Sequence, residues 1–143
     1  MSASRGMAGA RGRCRGSKEG ERLEEVERAI ASIRRLDEGS CILVEGRRDR
    51  DALRSLGIGG DIICLRAGRG TISERLERIS AVRIIVLVDF DPEGKDLAKL
   101  VSRLLERAGR SVDLSFWRRL RAYLGRDVRG IEGLVAYVER RST

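Results

Sequence analysis

Two apolar runs in this chain end in acidic residues, and that arrangement restricts the possible folds more than any other feature. Cys41-Ile42-Leu43-Val44 runs into Glu45-Gly46, and Ile84-Ile85-Val86-Leu87-Val88 runs into Asp89-Phe90-Asp91-Pro92-Glu93-Gly94. Short runs rich in β-branched residues and closed by glycine or proline read as buried strands. A carboxylate at the end of a buried strand is costly to desolvate unless something offsets its charge. Carboxylates gathered at one point also repel one another. A divalent cation is the usual remedy, and magnesium prefers hard oxygen ligands of this kind. The pattern predicts a magnesium site and phosphate chemistry, with manganese as the alternative ion.

Helical patterns fill the space between the strands. Leu23, Val26, Ile30 and Ile33 recur at steps of 3 and 4 and predict a helix over 19–37, stopped by Gly39. A strand over 41–45 follows, then a helix over 48–56 carrying Ala52, Leu53 and Leu56, broken by Gly57, Gly59 and Gly60. Residues 62–65 form a second strand, and Gly68-Arg69-Gly70 a tight turn. Thr71 and Glu74 have the spacing of a capping box that opens a helix to about Ser80. The third strand is 84–89. Asp91 caps the next helix with Pro92 at its first position, and that helix runs to Arg107 with Leu97, Leu100, Val101, Leu104 and Leu105 inward. A fourth strand at 111–115 precedes helices over 116–124 and 131–140. On the first of these, Phe116, Leu120, Tyr123 and Leu124 share a face.

Strands alternating with helices predict an α/β domain, with a parallel sheet of about four strands and helices on both faces. Functional groups in such sheets gather at the carboxyl ends of the strands, near a switch in strand order. If Glu45 and Asp89 share one ion, the first and third strands are neighbours and the second lies outside the first. The chain divides into a disordered basic tail (1–18), an N-terminal helix (19–39), a core (40–115) and a C-terminal helical extension (116–143).

The chain has 143 residues, 41% of them hydrophobic, enough for one domain with a real core. No stretch approaches the roughly 18 apolar residues of a membrane span. The basic start has no apolar segment after it, so no secretory signal is read and a cytoplasmic protein is expected. The net charge of +8 sits at the ends: residues 1–20 and 115–143 are strongly basic, and the middle is balanced. Basic flanks around an acidic site suit a polyanion; a solubilising tail and solvated faces are the plain alternative. Arg outnumbers Lys 27 to 3, which suits bidentate phosphate contact and equally a GC-rich genome. Cys14, Cys41 and Cys64 lack metal-ligand spacing and there is no His, so Cys41 and Cys64 read as buried thiols rather than zinc ligands.

"ILVEGRRD" followed by "IIVLVDFDPEG" resembles the Toprim domain, found in topoisomerases, bacterial-type primases, old-family nucleases, recombination proteins and the ribonuclease that matures bacterial 5S ribosomal RNA. The resemblance covers about residues 40–115 and rests on a Glu after the first strand and Asp-x-Asp after the third, here Glu45, Asp89 and Asp91. The whole chain, with "VEGRRDRDALRSLGI", "AGRGT" and a Trp-containing C-terminal piece, is similar to the small stand-alone Toprim proteins of archaea. The resemblance implies a Rossmann-like Toprim fold, magnesium at Glu45, Asp89 and Asp91, and phosphodiester chemistry on nucleic acid. RNA is favoured over DNA by the likeness to the small ribonuclease. Glu93 stands where type IA topoisomerases carry a third acid.

The residues themselves admit plainer roles. Glu93 also favours a helix N-terminus, and Asp91 also caps one. Arg47, Arg48 and Lys95 flank the acids and suit phosphate oxygens or solvent. Arg69, in its glycine turn, suits a phosphate cradle or a plain turn. Gly46 and Gly94 are expected to let the backbone pass close to the site. Phe116, Trp117 and Tyr123 lie at helical spacing, which favours packing over base stacking. Tyr123 and Tyr137 are not read as topoisomerase-type nucleophiles, since the chain is too short for strand passage. The Asp-x-Asp sits on the wrong strand for a haloacid-dehalogenase-type phosphatase, and the acidic pair and late Lys of a receiver domain are missing. Two function classes remain: a small nuclease with Glu45, Asp89 and Asp91 catalytic, and a binding module that keeps those acids for metal-bridged RNA contact without turnover. A small domain would draw specificity from a structured substrate or a protein partner.

Overall fold

A computed structural model describes residues 17–142. In chain order its elements are α1 (Ser17–Arg34), β1 (Ser40–Val44), α2 (Arg47–Ser55), β2 (Asp61–Cys64), α3 (Ile72–Glu77), β3 (Arg83–Val86), α4 (Pro92–Arg107), β4 (Ser111–Asp113), α5 (Ser115–Leu124) and α6 (Ile131–Ser142). The expected basic tail lies outside the described residues except at its end, where Lys18 already belongs to α1. The helix therefore starts two residues before its first expected position.

The four strands form one parallel sheet in the order β2-β1-β3-β4. Ile42 faces Ile62 on one side and Ile85 on the other, so β1 and β3 are neighbours with β2 outside. Each central strand is covered on both faces, which is why its sequence is a continuous apolar run rather than an alternation. Leu43, Val44 and all of Ile84–Leu87 are wholly buried. The chain leaves β1 toward one edge and β3 toward the other. With right-handed crossovers, this puts α2 on one face and α3 and α4 on the opposite one. The contacts agree: α2 packs on α6, α1 on α5 and α6, and α3 on α4.

Two helical faces differ from expectation. On α4 the buried row is Gly94, Ala98, Val101 and Leu105, while Leu100 is 38% exposed. The small residues at 94 and 98 bring that helix close to the sheet, and the face rotates away from the larger Leu100. On α5, Trp117 is buried beside Phe116, Leu120 and Leu124, while Tyr123 faces outward.

Trp117 packs inward and is also held by polar contacts. Its indole Nε1 donates to the carbonyls of Val88 and Asp89, at 3.0 and 3.1 Å. Those carbonyls lie past the end of β3, where no neighbouring strand serves them, and an indole N–H is a donor compatible with an apolar surround. Trp117→Phe should cost about 2 kcal/mol, from the lost donor and the volume left behind. Urea unfolding followed by far-UV circular dichroism measures this directly.

Candidate functional site

The switch in strand order lies between β1 and β3, and both expected acids emerge there. Glu45 follows β1 directly and is only 8% exposed. Its carbonyl accepts from Arg66 N on the β2 side at 2.9 Å. Its carboxylate turns the other way and accepts the backbone N–H of Asp89 at 2.8 Å. The side chain thus continues the ladder that Leu87 N to Leu43 O, at 2.8 Å, has carried past the end of β3. Asp91 caps α4, accepting from Gly94 N at 2.7 Å, so its capping role is real. The second Asp91 oxygen meets Arg129 Nε at 3.0 Å.

Asp89 is held from three sides. Gly94 fits against its backbone: a Cβ there would stand 2.0 Å from Asp89 O. Gly130 fits against its carboxylate, where a Cβ would stand 2.1 Å from Oδ1. Beyond Trp117, Arg121 Nε donates to Phe90 O at 3.0 Å, and Phe90 N donates to Arg129 O at 2.6 Å. The expected role of Gly94 is therefore met. Gly46 has open space where a Cβ would go, and its backbone is extended, so close approach does not require glycine there.

Charge is unbalanced at this point. The Asp89 carboxyl is pushed up from 3.8 to about 6, first by burial and then by the charges of Glu45, Asp49 and Asp91, with Arg129 opposing. Asp49 is nearly buried and also raised, by burial first and then by Glu132 and Glu45, although its carboxylate accepts Gly46 N at 3.1 Å. Two arginines supply positive charge: Arg66 lies 3.1 Å from Glu45 Oε1, and Arg129 lies 3.0 Å from Asp91 and 3.8 Å from Asp89.

Two cavities flank the acids and share Glu45, Arg66 and Asp89 as wall. One, of about 600 Å³, adds Arg47, Arg48, Asp49, Gly68 and Glu132. The other, of about 420 Å³, adds Asp91, Glu93, Asp96, Leu97, Leu100 and Arg129. The cleft carries both signs of charge on the α2 side, where Arg47 and Arg48 stand with Asp49 and Glu132, and is acidic to apolar on the α4 side. Glu93 is exposed and shares the second cavity with Asp91. Lys95 and Arg69 are exposed and line neither cavity. The turn at Arg69 is explained locally: Gly68 and Gly70 adopt positive φ, Thr71 and Glu74 form the expected capping box, and the Arg69 carbonyl accepts from Arg75 and Arg78.

Among the described residues, no three Asp, Glu or Cys side chains as they stand form a group that could hold a metal ion. The acids expected to share one ion instead pair with arginines. The donor chemistry still suits a hard cation, because the cluster is all oxygen and Asp89 carries charge that Arg129 alone does not balance. The counter-charges are long side chains, each 76% exposed, rather than buried fixtures.

Sequence reasoning missed Arg66, Arg129, Gly130 and Glu132. Arg66 follows the second strand and could have been found from the rule that placed Glu45. Arg129 and Gly130 lie in the loop before α6, far along the chain, and only the fold brings them to Asp89.

In metal-free buffer, the raised Asp89 gives a pH test. The folded chain binds this proton more tightly than the unfolded chain, so stability is fully present below about pH 4 and is lost as pH rises through about 6. Asp89→Asn should therefore gain about 1 kcal/mol at pH 8, discounted for the solvent reaching the site, or roughly 3 °C in Tm. The gain should vanish near pH 4. A difference between the two proteins that stays flat with pH would contradict the charge-crowding account.

The chain is 37% identical to a UPF0292 protein of Thermococcus kodakarensis over 113 residues, covering 78% of this chain and 84% of that one. It is 31% identical to a UPF0292 protein of Methanocaldococcus jannaschii over 122 residues, covering 85% and 95% of the two chains. A protein of known structure from Aquifex aeolicus superposes with a TM-score of 0.63 at 25% identity, covering 74% of this chain and 94% of that one. No protein-family model matches the chain. No described helix is long and apolar enough to cross a membrane. By its likeness to the archaeal relatives, the chain belongs to the UPF0292 family.

Proposed function

We propose that this member of the UPF0292 family is a magnesium-dependent, Toprim-type protein that cleaves nucleic-acid phosphodiesters, with RNA favoured over DNA. The observation that carries the reading is the meeting of Glu45, Asp89 and Asp91 at the switch point, with charge left over on Asp89. Asp89 and Asp91 would hold the ion, and Glu45 and Glu93 line the same cavity. When bound, magnesium supplies phosphate neutralisation and an activated water or hydroxyl.

The chain's own residues do the rest. Glu45 is anchored by Asp89 N and buried, so its carboxylate is fixed in place to manage a proton. Arg47 and Arg48, on the first turn of α2, line the wall where a phosphate backbone would lie. Arg47 and Arg48 in the cleft and the basic ends of the chain suit a polyanion, and binding should weaken as salt rises.

The test uses RNA and DNA cross-linked to the protein in cells, then incubated with purified protein and magnesium. Cleavage should fall by about a hundredfold or more in Glu45→Gln and in Asp89→Asn, the scale of losing a positioned acid–base or charge-bearing group. Capture of a defined RNA that is never cut, with any divalent ion, would replace the nuclease by the binding module.

A further inference from the structure

We propose that Arg66 and Arg129 are exchangeable counter-charges, which sit on the acids in the free protein and turn to substrate phosphates when a divalent cation takes those acids. The proposal rests on the cation reading above and adds to it a coupling between cation and polyanion.

The geometry of the two arginines sets them apart from the others nearby. Arg121 and Arg75 donate to main-chain carbonyls, those of Phe90 and of Leu65 and Arg69, and are partly buried. These contacts hold loops. Arg66 and Arg129 instead have only carboxylates as side-chain partners among the described residues: Glu45 for the first, Asp91 and Asp89 for the second. Each leaves 76% of its side chain in solvent while its head reaches an acid that is far less exposed. Such an arm is held by charge rather than by packing, and exposed ion pairs are weak. It is free to leave without disturbing the fold.

The acids cannot serve an arginine and a divalent cation fully at once. Glu45 has one oxygen on Asp89 N and the other on Arg66, so a cation approaching Glu45 competes with Arg66. Asp91 has one oxygen on Gly94 N and the other on Arg129, with the same result. A displaced guanidinium remains in the cleft wall, because Arg66 lines both cavities and Arg129 lines the second. Its fork then matches a phosphate. A polyanion acts in the reverse sense: by drawing off the arginines it leaves the carboxylates unbalanced and raises their demand for a cation. Each ligand therefore strengthens the other by the same factor. In the free protein, the arginines hold cation affinity down.

A phosphate that ligates the ion directly would also couple the two ligands, so the decisive measurement is made without nucleic acid. Free Mn²⁺ is titrated by electron paramagnetic resonance against the full chain, against Arg66→Gln/Arg129→Gln, and against Arg47→Gln/Arg48→Gln. The last pair removes the same charge from the same cleft, but from side chains that have no ion pair among the described residues. The first pair should raise Mn²⁺ affinity about threefold to tenfold, the size of two released surface ion pairs, and the second about twofold or less. A short single-stranded RNA, added with calcium in place of magnesium, gives the second readout. Calcium should tighten RNA binding to the wild type by a larger factor than binding to Arg66→Gln/Arg129→Gln, the excess being the share carried by the exchange.

Unchanged or weaker Mn²⁺ binding in the first pair would overturn the exchange and leave the cation site standing. An equal rise in both pairs would also overturn it, since net charge would then explain the effect. If none of the three proteins binds Mn²⁺, with RNA or without it, the cation reading falls and takes the exchange with it.

Discussion

One hydrogen bond organises this molecule: the Glu45 carboxylate accepting the Asp89 N–H across the ends of β1 and β3. It satisfies a main-chain donor where the ladder ends, and it fixes two acids side by side in a part of the protein that water reaches poorly. Burying and crowding carboxylates is unfavourable, and the raised Asp89 records that cost. Much of the surrounding sequence reads as compensation. Gly94 and Gly130 give the room, Trp117 and Arg121 serve the carbonyls, and Arg66 and Arg129 bring opposite charge. A protein with no use for the cluster could relieve the crowding with amides or apolar residues. Its retention is the physical motive for the functional reading.

The C-terminal helices are tied into this arrangement. Trp117 and Arg121 on α5 donate to residues 88–90, the Arg129 carbonyl receives Phe90 N, and α6 packs against α2. The core expected from the sequence spans only residues 40–115, but the loop carrying Asp89 is held by side chains beyond that span. A bare core would leave the carbonyls of Val88 to Phe90 unserved and remove Gly130 and Arg129 from the site. The extension is therefore an integral wall of the cleft.

Much of this was legible in the chain. The continuous apolar runs at 41–44 and 84–88 read as buried strands, by their shortness, their β-branched residues and the glycines and proline that close them. The requirement that Glu45 meet Asp89 placed β1 beside β3 with β2 outside, which is the order found. Caps at Thr71 and Asp91 followed from local spacing. What escaped was set by tertiary packing. Leu100 faces solvent because Gly94 and Ala98 draw α4 onto the sheet by a different row, and Tyr123, expected on the inner face of α5, faces outward, while Trp117 packs inward as its spacing implied and adds hydrogen bonds that periodicity does not encode. Arg129 had no local signal, since its partner Asp91 lies 38 residues away. The acids were legible as residue types, whereas their pairing with Arg66 and Arg129 was not.

The central claim, that these acids are kept together to take a cation, is tested most directly by residue-resolved NMR of the full chain with trace Mn²⁺. Paramagnetic broadening should be strongest at the amides of Glu45, Gly46, Asp89, Phe90, Asp91 and Gly130, and it should disappear in Asp89→Asn. Broadening spread evenly over the acidic surface, or unchanged in Asp89→Asn, would show that the cluster is not a cation site.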